Sequence, residues 1–522
     1  MLTDFSDVSQ LPESPEIVIV GAGAVGLTMA VDLARRGKQV LLLEAGGRDV
    51  DGMSQNYFES AACIGRQLAG LHEARVRALG GTTNLWGGQL VRLDPIVFEN
   101  RDWLGAGGWP IKGTDLDSAY ERAFDLFGMQ RRLEDREVWE RLTITPPETG
   151  KNLEFFFTRW TPEPNFAKLF ARDIARLDNL RVVANAPVVG LWSDENGKQI
   201  GVVVAHGDGK HRLRAQKLVL AHGTIEIARL LSMPLTNSSM APWAGNPWLG
   251  RGFSDHVDAY AGKVALLDRK RFHQLFDAAV LDGLKYLPKL KLTEGAQREG
   301  SFLGIAAHFV SESANDEELI WLKGVARDLL NRKIDGRVFR GSRRIVSLTR
   351  AAIPVATRYL RHRRIYNPGE KGIRLRLTSE QIGLSRSGLR LADKADPLGM
   401  PIVEMNWQID GAELETMASF AIAVANFLQR EGLAEIDLDN HLLDRDPAFL
   451  SRADDGYHHM GMARMAASPA DGVVDADLRV FGTDNLFVAG AAAFRSTGFA
   501  NPTLTGVALG LRLSEALQNG KA

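Results

Sequence analysis

Gly21, Gly23 and Gly26 stand at G-x-G-x-x-G spacing, and Glu44 follows the apolar run Val40–Leu43. The first glycine permits a tight strand-to-helix turn. The second lets a pyrophosphate approach the backbone, and the third lets the helix pack closely on the strand. A carboxylate at the end of the second strand accepts both hydroxyls of an adenosine ribose, and it argues against a 2′-phosphate, hence against NADP. FAD and NAD both stay open on these residues. Near the other end, Tyr457-His458-His459-Met460-Gly461 offers imidazoles, which titrate near neutral pH. Asn501 stands before Pro502 and Thr503. On residue type alone, His458 is either a hydrogen-bonded core histidine or a proton acceptor. Asn501 is likewise either an N-cap, with Pro502 in the first turn, or a site residue.

The elements that must position these residues are legible from hydrophobic pattern. Ile17–Val20 is a short β-branched run, as in a strand buried on both faces. Leu27–Arg36 has helical spacing, Gly37 closes it, and Val40–Leu43 is a second strand. The helix N-terminus offers free N–H groups to phosphates. In Leu79–Glu99, the pairs Gly80–Gly81 and Gly87–Gly88 bracket Thr82, Thr83, Asn84, Leu85 and Trp86. Such a stretch brings backbone N–H groups against a flat ligand. Asn179–Asp194 reads as a strand followed by a polar hairpin at Glu195-Asn196-Gly197. Lys217–Gly223 is an apolar strand ending in glycine, before a helix over Thr224–Ser232, and Gly250–His256 is a loop. Residues 257–440 lack the βαβ rhythm. Arg374–Leu377, Leu389–Leu391 and Ile402–Trp407 read as strands of one antiparallel sheet, and Met417–Gln429 as a helix. Asn485–Gly490 is a strand delivered to a glycine, and a helix runs from Pro502 to Leu517. The expected fold class is α/β: a Rossmann-type dinucleotide domain with a second α+β substrate domain built on an antiparallel sheet. The dinucleotide domain is expected to be discontinuous, from residues 1–115, 179–256 and 445–522, with 116–178 and 257–444 forming the substrate or cap domain.

At 522 residues the chain exceeds one ordinary core. A formal charge of −1 gives no global signal for nucleic acid. Cys63, the single cysteine, excludes internal disulfides and any cysteine-based metal site. The N-terminal segment has no basic n-region or apolar h-region, and no apolar run reaches membrane-spanning length, so a cytoplasmic protein is expected. Lys323–Arg364 is strongly basic. It reads as a solvated cap or homo-oligomer contact in preference to a membrane-surface or anionic-partner helix.

Taken together, Ile17–Gly47, Gly80–Gly88, Lys217–Leu231, Gly250–His256, Asp396–Gly399 and His458–Asn501 resemble the glucose–methanol–choline (GMC) family of FAD-dependent oxidoreductases. The C-terminal pair is similar to that of the bacterial branch with sugar and glycoside oxidoreductases, and more distantly to pyranose oxidases. The resemblance implies the GMC fold and FAD, not NAD, at Gly21, Gly23, Gly26 and Glu44. It implies further cofactor contacts at Gly81, Asn84, Trp86, Gly87 and Gly88, at Val188 beside adenine, at Gly490 and Ala491, and at Asn501, Pro502 and Thr503. It places the catalytic histidine at His458 and its partner at Asn501. The implied reaction oxidises an alcohol to a carbonyl, with hydride passing to flavin N5 and His458 as base. The substrate is a sugar or glycoside, with a terpenoid or aromatic alcohol as the alternative. Molecular oxygen, a quinone or another acceptor takes the electrons, and a flavoprotein subunit of a partner-dependent dehydrogenase is the rival reading. The sequence departs from the family at Met462, where threonine is usual, and at Gly490, where many members carry Asp. Leu85 stands where covalent-flavin members carry histidine, which implies noncovalent FAD. His459, next in an extended segment, is expected to point away from the flavin.

Overall fold

The structure is a computed structural model and describes residues 2–5, 11, 15–207, 209–237, 239–312 and 371–520. The basic Lys323–Arg364 stretch lies outside the described residues.

At the centre is a six-stranded sheet in the order Leu2–Asp4, Leu180–Ala184, Val40–Leu43, Ile17–Val20, Lys217–Leu220, Leu486–Val488. Every pairing in it is parallel. The four residues of Ile17–Val20 are all buried, as their β-branched run requires. Helix Ala24–Arg35 follows the glycine turn and packs against the last helix, Pro502–Gln518. Their approach is close: a Cβ on Gly510 would lie 2.9 Å from Met29. Helix Thr224–Ser232 begins and ends where its pattern places it.

A second, largely antiparallel sheet runs Ala434–Leu438, Val257–Leu266, Gly372–Ser379, Ile305–Glu312, Leu284–Leu292, Leu153–Trp160, Gln89–Leu90. Its apolar face lies under helix Ala412–Arg430, which extends the helix expected over Met417–Gln429.

Two expectations need correction. Gly388–Ala395 and Pro401–Asn406 do pair antiparallel, but in a separate sheet with Ala62–Cys63 rather than beside Gly372–Ser379. Alternation identifies a strand but says nothing of its neighbour, because pairing is non-local. The stretch Asn179–Asp194 is two strands, Leu180–Ala184 in the parallel sheet and Val188–Ser193 in a three-stranded antiparallel one. Asn185, at φ 56°, breaks the run between them.

Candidate active site

One cavity is bordered by Gly21, Gly23, Glu44, Gly81, Val188, His458, Gly490, Ala491, Pro502 and Thr503. Residues hundreds of positions apart meet there because the parallel strands Ile17–Val20, Lys217–Leu220 and Leu486–Val488 end side by side.

The glycine turn has the shape of a phosphate cradle. Gly21 sits at φ 97°, a conformation L side chains rarely adopt. A Cβ on Gly26 would come 1.9 Å from the Gly21 carbonyl oxygen, so the third glycine is required by packing. A Cβ on Gly23 meets nothing within 4 Å, and Gly23 faces the cavity. Helix Ala24–Arg35 has no side-chain cap, which leaves its first-turn N–H groups available to an anion. Glu44 is buried, and its carboxylate accepts the Ala22 N–H at 2.8 Å and the Gly46 N–H at 2.9 Å. Burial pushes it up to about 7, against the opposing effect of those N–H groups. A cradle closed to side chains at one end and a buried carboxylate further along fit the pyrophosphate and ribose of FAD.

Further along the wall, Arg75, Glu226, Arg229 and Asp396 form a chain of ion pairs at 2.8, 3.2 and 2.8 Å. His222 follows the strand Lys217–Leu220, and burial lowers it to about 4.

At the other end, His458 Nε2 lies 2.8 Å from Asn501 Nδ2. Asn501 occupies the N-cap position of Pro502–Gln518, but its side chain makes no capping hydrogen bond and turns to His458. His458 Nδ1 lies 2.9 Å from His256 Nδ1. Both rings are held neutral: burial pushes His458 down to about 3, with His256 adding to it, and burial pushes His256 to about 4. Asp255 ties the two loops together, its Oδ1 accepting the N–H groups of His256, Gly456 and His458 at 2.7, 3.1 and 2.9 Å. Desolvation raises Asp255 well above the usual carboxylate range. His459 takes other neighbours: its ring sits 5.8 Å from Phe253, and a Cβ on Gly70 would lie 2.9 Å from its Nε2. It still borders the same cavity, so the alternation of an extended segment turns it from His458 without removing it from the wall.

Asn84, Trp86, Gly87 and Gly88 do not border the cavity. Asn84 donates to the Leu79 and Gly81 carbonyls and accepts from Asn165, and Trp86 Nε1 donates to the Pro164 carbonyl at 2.6 Å. They fasten the loop to residues 160–170, and only its Gly81–Thr82 end reaches the cavity. Leu85 is exposed. His256 and Asp255 are the residues that sequence reasoning missed. Their signal was present, since both stand in the Gly250–His256 stretch that carries part of the family resemblance.

A parallel sheet with a glycine cradle, a buried acid and His458 on one cavity wall, with Asn501 against that histidine from behind the wall, is the arrangement of a dinucleotide-dependent oxidoreductase. Residues 16–247 match the family described as FAD dependent oxidoreductase, and residues 384–510 match GMC oxidoreductase. Fructose dehydrogenase large subunit of Gluconobacter japonicus is 21% identical, with 97% of this chain and 98% of that protein covered. Pyridoxine 4-oxidase from Mesorbium loti shares the fold at TM-score 0.55 and 17% identity, over 96% of this chain and 98% of that one. A fungal aryl-alcohol oxidase does so at TM-score 0.59 and 13% identity, over 98% and 100%. The two family matches and these relatives together support a GMC-type FAD-dependent oxidoreductase acting on alcohols. Among the described residues, no helix is long and apolar enough to cross a membrane.

Proposed function

We propose that His458 is the base and Asn501 the positioning residue in oxidation of a sugar or glycoside hydroxyl to a carbonyl. The observation that carries this is the 2.8 Å contact of His458 Nε2 with Asn501 Nδ2 at the end of the cavity that holds the glycine cradle. The amide nitrogen can only donate, so Nε2 presents a lone pair. A substrate hydroxyl entering between them gives its proton to Nε2 and accepts from the amide, which aims the C–H bond. Bound FAD supplies the hydride acceptor at N5. Gly21, Gly23 and Glu44 would hold its pyrophosphate and ribose, with Gly26 setting the close turn beneath them, Val188 would meet the adenine, and Gly490, Ala491, Pro502 and Thr503 would line the remaining length. FAD is held noncovalently, since Leu85 offers no nucleophile.

The fructose dehydrogenase relative supports the sugar assignment, and its being a large subunit favours a second reading, in which electrons leave through a partner protein. The discontinuous domain division set out from the sequence is retained as a proposal, supported by strands from all three pieces in the parallel sheet. The free thiol of Cys63 accords with a reducing compartment, and the cytoplasm is the proposed location.

Anaerobic stopped-flow reduction with sugars, glycosides, terpenoid alcohols and aromatic alcohols tests the substrate class, followed by reoxidation with oxygen and with a quinone. Reduction by a sugar or glycoside is expected. Reduction by aromatic or terpenoid alcohols alone overturns it.

A further inference from the structure

One row of side chains crosses the antiparallel sheet at a single level. Phe156 pairs with Lys289, His308 with Arg376, and Arg376 with Tyr260. Pairing of Leu290 with Ala307 carries Lys289 beside His308. Directly paired residues share a face, so all five project to one side. The opposite side is apolar: Tyr286, Leu290, Ala307, Leu375 and Leu377 are buried. It is the side packed under helix Ala412–Arg430.

The polar side looks onto the catalytic pair. Phe156 packs on Phe499, two residues before Asn501, with ring centroids 5.4 Å apart. Asp258, Lys289 and Arg376 are all close enough to His458 to act on its charge. Arg376 donates to Asp258 Oδ2, while Asp258 Oδ1 and His308 Nδ1 are buried without hydrogen-bond partners. Lys289 is lowered to about 8 by burial, with Asp258 pulling the other way. His308 is pushed well down by burial and then by Lys289 and Arg376. Among the partly buried groups of the row, Lys289 and Arg376, with the His308 imidazole beside them, therefore face the single carboxylate of Asp258, while the exposed Asp454, paired with Asp258, acts on Arg376 from the rim. Such an excess is costly until a counter-charge arrives. A neutral polyol satisfies donors but leaves the excess charge uncompensated.

We propose that Lys289, His308 and Arg376 bind an oxyanion, carboxylate or phosphate, on the non-reacting end of the substrate alcohol. This rests on the alcohol-oxidation reading and narrows it: within the sugars it selects a sugar acid, uronide or sugar phosphate over a neutral sugar. Asp258 orients Arg376, and the CH–OH end of the same molecule meets His458 and Asn501.

The test uses the FAD-loaded enzyme with gluconate, glucuronate and glucose 6-phosphate, each beside glucose. Binding is read as perturbation of the flavin absorbance, and flavin reduction is followed separately. At least one anionic probe is expected to bind about tenfold or more tightly than glucose, and Lys289→Met to remove about that factor. Lys289→Arg should restore much of it. The phosphate and carboxylate arms tell which oxyanion fits. Equal binding of glucose and all three anions overturns the inference, as does undiminished anion binding in Lys289→Met that retains FAD. If neutral alcohols reduce the flavin as well as anionic ones do, alcohol oxidation stands and the inference falls. If anions bind in a Lys289-dependent way but no alcohol reduces the flavin, the anion row stands and the alcohol reading falls.

Discussion

His458 and His256 face each other through their Nδ1 atoms at 2.9 Å, and only one proton can lie between those nitrogens. Because Asn501 donates to Nε2 of His458, the His458 proton belongs on Nδ1 and His256 is the acceptor. His256 then carries its own proton on Nε2, a buried atom without a hydrogen-bond partner that lies beside the Gly498 backbone. The pair thus fixes the tautomer that leaves the Nε2 lone pair of His458 facing Asn501. His256 is a positioning residue in this account. His256→Phe should slow flavin reduction by up to about a hundredfold with FAD content retained. A rate within twofold of wild type at saturating alcohol would remove His256 from the mechanism.

His458→Ala should lower the rate of flavin reduction by about two to four orders of magnitude, since it removes the base itself. His459→Ala should have a much smaller effect, because its ring sits against Phe253 and Gly70. Stopped-flow reduction of both variants by one alcohol decides the register. A dead His459→Ala beside a near-normal His458→Ala would move the base by one residue.

The depressed His458 also fixes a pH dependence. With its value near 3, the ring is neutral across the working range, so His458 should produce no acid limb in flavin reduction between pH 5 and 8. The linkage to stability has a definite sign. An imidazole lowered from about 6.5 in the unfolded chain contributes stability that is full above that value and lost as pH falls towards 3. The stability difference between wild type and His458→Gln should therefore shift against the wild type on going from pH 7.5 to 5. A titration near pH 6.5 in the reduction rate that disappears in His256→Phe would contradict the neutral pair.

The parts of the molecule that were legible in the sequence are those with a local cause. Gly21, Gly23 and Gly26 answer to a turn and a close helix, and Thr224–Ser232 to a local helical period. His458 and Asn501, which meet in the structure, were paired through the register of the family resemblance, and neither spacing nor composition links them. His256 was missed because its contact with His458 spans 202 positions. The row from Phe156 to Tyr260 was out of reach for the same reason, since it exists only once five strands have chosen neighbours and register. The loop after Gly81 was legible only in part. Its glycines marked a ligand loop, but nothing local says that Asn84 and Trp86 turn to Asn165 and Pro164.

The two inner glycines of the cradle should separate folding from cofactor binding. Gly26→Ala forces a Cβ onto the Gly21 carbonyl, and overpacking of this kind costs about 1–3 kcal/mol. Gly23→Ala places its Cβ in open space on the cavity wall, so the apoprotein should unfold at a midpoint near wild type while FAD retention collapses. Thermal unfolding of the apoproteins and flavin content after gel filtration check both. If Gly23→Ala keeps its flavin, the pyrophosphate does not lie against that turn.

Glu380 joins the substrate-side sheet to the loop that carries Asn501. Its two oxygens take Arg101 at 2.7 and 2.5 Å, and they also accept the N–H groups of Gly304 and Gly498, each at 3.0 Å. Both side chains of the ion pair are only 1% exposed. Burial alone would raise Glu380, but Arg101 and the two N–H groups outweigh it and hold the carboxyl below its usual range. Glu380→Gln keeps the shape, removes the charge and sets an amide donor among donors, leaving Arg101 buried without a counter-charge. That should cost about 3–5 kcal/mol, read as a lower urea midpoint. The double variant Arg101→Met, Glu380→Met removes both charges and should recover most of that stability, because a packed apolar pair replaces a buried ion pair at little net cost. It should not recover the rate of flavin reduction. The Gly498 N–H still lacks its acceptor, so the turn into Asn501 is no longer held and the amide loses its fixed distance to His458. Recovery of stability and rate together would mean that Glu380 serves the fold alone. Recovery of stability without rate assigns it the placement of Asn501.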